Sequence, residues 1–140
     1  MRFWDSSAIA PVLVEESSSA ELRDLAGDGE GLVVWWVTPV ECASAIAQRE
    51  RMGVLDSRGA SEALVTLEGL ADDWSEVPPT ERLRDDARRL VRVHDLRSAD
   101  ALQLSAAWAA SEAEPEALPF VTLDKRLALA ARREGFPIVP

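Results

Sequence analysis

Four acidic residues in this chain sit at strand or helix junctions: Asp5, Glu41, Asp100 and Asp124. Asp5 closes the bulky run Arg2-Phe3-Trp4. Glu41 follows Leu32–Val37 within one helical turn, and Asp124 follows Phe120-Val121-Thr122. Asp100 enters an Ala-rich apolar segment that reaches Trp108 and Ala110. Carboxylates brought into one volume repel and take up protons, and a divalent cation removes that cost. With oxygen ligands only, and no His or Cys among them, the expected ion is Mg²⁺ or Mn²⁺ rather than zinc. Such an ion activates water and stabilises a leaving oxygen, which is the chemistry of phosphodiester cleavage. Ser6 and Thr122 are close enough in sequence to lend hydroxyls to the same carboxylates.

Each acid also has a plainer reading as a helix cap. Thr38-Pro39-Val40-Glu41 has the form of a capping box with Pro at the first helical position. Asp124 can cap the helix after it. Ser98 can cap the Ala-rich helix, with Asp100 facing the positive end of its dipole. Asp5 is the hardest to treat this way, because Ser6 or Ser7 could cap the next helix without it.

The elements that must position these acids follow from pattern. Arg2–Asp5 reads as a short buried strand. Leu32–Val37 has no polar alternation, the mark of a strand covered on both faces. Pro119–Thr122 is a third strong strand, with weaker ones at Trp74–Val77 and Phe136–Val139. Between them the spacing predicts helices over Ala8–Val14, Ala20–Ala26, Pro39–Met52, Ser57–Asp72, Glu81–His94, Ala99–Ala113 and Lys125–Glu134. Val40, Ala43, Ile46 and Ala47 form the apolar stripe of the third of these. Ala60, Leu64, Leu67 and Leu70 form that of the fourth. Strands alternating with helices imply an α/β fold with a mainly parallel sheet. In such a sheet the functional crevice lies beyond the carboxyl ends of the strands, where the acids would meet.

A length of 140 residues fits one domain, since domains run to roughly 100–200 residues. A single cysteine, Cys42, gives no internal disulfide, and the start of the chain lacks the basic-then-apolar pattern of a leader. No apolar run approaches the roughly 20 residues that span a bilayer, so a cytoplasmic protein is expected. The net charge of −10 argues against a general nucleic-acid binder, which is normally basic. Local phosphate contacts could come from the row Arg84, Arg88 and Arg92, or from Arg97, Lys125 and Arg126. The row equally suits a solvated helix face paired with Glu81, Asp85 and Asp86. His94 reads as structural, and Trp35-Trp36 as core or partner-facing residues.

Four segments, in order, resemble PIN-domain proteins, and more narrowly the VapC-type toxins of toxin–antitoxin pairs. They are Phe3-Trp4-Asp5-Ser6-Ser7-Ala8, Thr38-Pro39-Val40-Glu41 with Ala45, Leu96–Leu104, and Phe120–Leu127. The resemblance implies a three-layer α/β/α fold, a Mg²⁺- or Mn²⁺-dependent ribonuclease, a homodimer and a cognate antitoxin. It also implies that Asp5, Glu41, Asp100 and Asp124 form the catalytic acidic quartet, with Asp5 and Asp100 the metal ligands. Gln103 departs from the pattern, standing where many relatives carry His, and Ser98-Ala99 replaces a pair that more often contains an aromatic residue.

Other classes are open to test. An inert PIN-like module that sequesters a protein partner would keep the acids as caps. A Rossmann-like nucleotide binder would need a Gly-rich loop after the first strand, where Ser6-Ser7-Ala8 stands. A phosphoacceptor receiver domain would need a late Lys apart from the acids, whereas Lys125 directly follows Asp124.

Overall fold

A computed structural model describes residues 1–140. Five strands form one all-parallel sheet: β1 Arg2–Trp4, β2 Leu32–Trp35, β3 Ser75–Val77, β4 Phe120–Val121 and β5 Ile138–Val139, in the order β3-β2-β1-β4-β5. Every neighbouring pair is parallel. The chain steps outward on one side of β1 and then returns to its other side. The switch of direction therefore falls at the carboxyl end of β1, where Asp5 begins.

Side chains alternate across the sheet, as the period of two requires. Phe3, Val33, Trp35 and Phe120 point into one core, under α5 Glu81–Val93, α6 Ser98–Ala110 and α7 Lys125–Arg133. Trp4, Val34 and Val121 point into the other, under α1 Ser6–Leu13, α2 Ser19–Ala26, α3 Thr38–Arg51 and α4 Ser57–Asp73. The result is the three-layer α/β/α fold expected from the sequence. Aromatic rings run through the first core, with Phe3 and Phe120 centroids 5.0 Å apart and Phe120 and Phe136 5.8 Å apart. Phe3, Trp4 and Phe120 are at most 1% exposed, and burying each contributes about 2–3 kcal/mol. These residues hold the ends of β1 and β4 rigid where the acids emerge.

Two expected helix faces are rotated. Val40 is 67% and Leu64 40% exposed, while Cys42 and Ala63 are buried in their neighbourhood. Spacing placed each helix but misjudged which edge of its apolar stripe meets the sheet. Trp35 is buried and Trp36 exposed.

His94, the residue that ends α5, is tied to Glu134 at the end of α7. His94 Nε2 lies 2.6 Å from Glu134 Oε1, and Trp108 Nε1 of α6 donates to Oε2 at 3.0 Å. Arg89 of α5 closes on the same carboxylate at 3.4 Å. Burial pushes Glu134 up, but the bonds from His94, Arg89 and Trp108 outweigh it and hold the group below the usual glutamate range. One carboxylate thus joins three helices. The turn after it needs Gly135: its φ is +101°, and a Cβ there would meet Pro115 at 3.2 Å.

Candidate functional site

All four sequence-predicted acids emerge at the carboxyl edge of the sheet. Asp5 follows β1 directly and is 4% exposed. It is also the N-cap of α1, accepting from the Ser7 amide at 3.2 Å. Ser6 and Ser7 fall inside that helix, so neither supplies the cap. Asp5 Oδ2 further accepts from the Ser7 hydroxyl and from Thr122 Oγ1 at 3.0 Å. Those hydroxyls are themselves held by backbone amides: Leu123 N donates to Ser7 Oγ at 3.0 Å, and Asp124 N to Thr122 Oγ1 at 3.1 Å. Two donor relays thus run from the start of α7 to one oxygen of Asp5. Its other oxygen, Oδ1, has only Ser6 Oγ near it, at 3.5 Å.

Glu41 does not close a capping box. Thr38 lies inside α3 rather than before it, and Val37 at the cap position has no side-chain bond to give. The carboxylate instead turns toward Asp5. Glu41 Oε1 accepts from Gln103 Nε2 at 2.8 Å, and Oε2 lies 3.3 Å from Ser6 Oγ. Ser6 therefore stands between Asp5 and Glu41. Asp100 lies in the first turn of α6, whose N-cap position is Arg97 and not Ser98. No side-chain hydrogen bond neutralises it. Asp124 caps α7 through Oδ1, which accepts from Leu127 N at 2.9 Å, and its second oxygen stays free of that bond.

The electrostatics show how close the acids are. Burial pushes Asp5 upward, the Ser7 and Thr122 bonds pull it partly back, and the Asp100 charge raises it again. Glu41 is raised by burial and then by Asp5, with Asp100 adding and the Gln103 and Ser6 bonds opposing. Asp100 is raised by burial and by Asp124, with Arg97 and Arg126 pulling the other way. Asp100 thus feels both Asp5 and Asp124. Arg97 and Arg126 offset part of the charge at Asp100, and with Lys125 they line an open depression together with Asp100 and Asp124. Arg84, Arg88 and Arg92 lie on the exposed outer face of α5, where Arg88 faces Asp85 at 3.8 Å. They line no part of that depression.

No three acids close into a ready-made cation cage. The donors are nevertheless all hard oxygens: carboxylates, with the Ser6 hydroxyl between two of them. Mg²⁺ takes one or two carboxylates directly and keeps several of its own waters, so it does not require a closed cage of acids. Carboxylates that raise one another fit such a hydrated divalent ion.

Two residues singled out in the sequence for other reasons turn out to hold the acids. Ser7, rather than Ser6, is the hydroxyl that holds Asp5. Gln103 engages Glu41 from the same α6 face as Asp100, three residues earlier, a spacing that puts both side chains on one side of a helix.

Known proteins share the fold that carries this arrangement. The family model described as PIN domain matches residues 2–133. A solved structure described as FitAcB from Neisseria gonorrhoeae superposes with a TM-score of 0.69 at 14% identity, covering 100% of this chain and 97% of that one. PAE2754 from Pyrobaculum aerophilum superposes with a TM-score of 0.65 at 21% identity, covering 99% of this chain and 83% of that one. At these identities the likeness is one of fold. A comparison with curated protein sequences finds no match.

Proposed function

Because this chain belongs to the PIN-domain family, we propose that it is a divalent-metal-dependent ribonuclease and the toxin of a toxin–antitoxin pair. The observation that carries the reading is the meeting of Asp5, Glu41, Asp100 and Asp124 at one sheet edge, where Ser6 Oγ lies 3.5 Å from Asp5 Oδ1 and 3.3 Å from Glu41 Oε2 and where the acids raise one another. Asp5 and Asp100 would hold Mg²⁺ or Mn²⁺, with Glu41 and Asp124 completing the catalytic quartet. A bound divalent cation supplies activation of a water and neutralisation of charge on the departing oxygen.

The chain's own residues do the rest. Ser7 and Thr122 fix Asp5 Oδ2, which leaves Oδ1 on the side of Ser6 and Glu41. Asp124 is locked by its cap bond, so one oxygen keeps a constant direction. Arg97, Lys125 and Arg126 border Asp100 and Asp124 and offer local phosphate contacts to RNA despite a net charge of −10. A single unit over residues 1–140, a homodimer, a cognate antitoxin and a cytoplasmic setting complete the proposal. The structure adds that no helix is long and apolar enough to cross a membrane.

The lack of a compact acid cage favours a second reading, an inert PIN-like module that sequesters a protein partner. Incubating the purified chain with single-stranded RNA and Mn²⁺ separates the two. Cleavage that stops with chelator and in Asp5→Asn supports the nuclease. No metal-dependent cleavage beside tight binding of a protein partner selects the inert module.

A further inference from the structure

We propose that Gln103 is a positioning residue of the carboxylate centre, holding Glu41 turned toward Asp5; this rests on the reading of that centre as a divalent-cation site. Gln103 is 1% exposed, deep on the inner face of α6. Its Nε2 donates to Glu41 Oε1 at 2.8 Å and reaches Thr38 Oγ1 at 3.4 Å. Both acceptors belong to the first turn of α3, so one amide ties the start of that helix to α6. The orientation of the amide follows from its partner, since an ionised Glu41 can only accept and the NH₂ end must face it.

The opposite end of the amide is what separates a positioning role from a structural one. Gln103 Oε1 is buried with no hydrogen-bond partner; Trp4 Nε1 is the one other buried side-chain atom in that condition. An acceptor stranded in a core is a cost that an apolar side chain of similar size would avoid. Met or Leu would remove that cost, at the loss of the donor that Glu41 and Thr38 share. What the amide supplies instead is a directed N–H to a carboxylate that neighbouring charges push away. With Oε1 of Glu41 held by Gln103, Oε2 is left toward Ser6 and the space it shares with Asp5. The same helix presents Asp100 three residues earlier, so α6 sets one acid by its own backbone and a second through Gln103.

The test is calorimetric titration of the full chain with Mn²⁺ alone, for the wild type and Gln103→Met, beside thermal melting and RNA cleavage. The expected result is a Gln103→Met protein that melts within a few degrees of the wild type, with Mn²⁺ affinity lowered about 10- to 100-fold. Turnover falls in parallel and KM for RNA stays unchanged. If Gln103→Met melts lower than that, Gln103→Leu is measured in its place. Wild-type affinity and turnover in a stably folded variant would overturn the assignment. A wild type that binds no Mn²⁺ at all overturns the cation site itself, and the role of Gln103 with it.

Discussion

The molecule treats buried carboxylates in two opposite ways. At the α5–α6–α7 corner, Glu134 receives His94, Arg89 and Trp108 and is held below its ordinary range. At the carboxyl edge of the sheet, Asp5, Glu41 and Asp100 are held above theirs, and much of what surrounds them is each other. The first arrangement spends polar groups on joining helices. The second keeps negative charge concentrated where protein alone cannot satisfy it. Satisfied and unsatisfied acids within one small fold distinguish scaffold from site better than burial does, since Glu41, Asp100 and Glu134 are all partly buried.

The largest expected effect separates the two in activity. Asp100→Asn should slow RNA cleavage about a thousandfold, or about 4 kcal/mol in the barrier, whereas Glu134→Ala keeps wild-type turnover while folded. Equal losses in both variants, measured in single-turnover assays, would erase the distinction. Next comes stability, with opposite signs. Glu134→Ala leaves His94 and Trp108 without their acceptor and should cost about 3 kcal/mol, or about 10 °C in thermal midpoint. Asp5→Asn relieves repulsion at the sheet edge and should raise the midpoint in metal-free buffer.

A pH scan of stability sharpens the contrast further. The raised acids bind protons more readily folded than unfolded, so their contribution is full below the ordinary carboxylate range and is lost as pH climbs through their raised values. Glu134 does the reverse: its contribution holds above the ordinary glutamate value and is lost as pH falls through its lowered one. Metal-free protein should therefore gain stability from neutral into weakly acid solution and lose it in stronger acid. Saturating Mn²⁺ should flatten the neutral side of that curve. A profile flat with and without Mn²⁺ would mean that the acids do not interact. The smallest effect is at the rim. Arg126 is 65% exposed, and its nearest acid, Asp95, stands 3.8 Å away, so Arg126→Ala should change stability by less than about 0.5 kcal/mol. It should weaken RNA binding a few-fold and lower the salt slope by about 1.

The sheet and the junction acids were legible because apolar runs and the residues that follow them are local signals. Leu32–Trp35 is unbroken by polar residues, and Asp5 and Asp124 sit immediately beyond such runs. What misled was also local. Thr38 and Glu41 have the spacing of a capping box, but Gln103, 62 residues away in sequence, takes the Glu41 carboxylate. Ser98 looks like a cap, yet α6 begins at it. His94 reads as structural, but its partner Glu134 lies 40 residues away and no periodicity points to it. Val40 and Leu64 fit an apolar stripe in spacing, while the sheet decides which edge of the stripe is covered.

The bond from Thr122 to Asp5 joins residues 117 positions apart. The first acid of the chain is therefore oriented by a hydroxyl that arrives only with the penultimate strand. A chain still being made, or one clipped before β4, retains the carboxylate of Asp5 but has neither Thr122 nor Asp124 to set it. The pocket needs β4 seated against β1, and a fragment that ends before β4 cannot carry it.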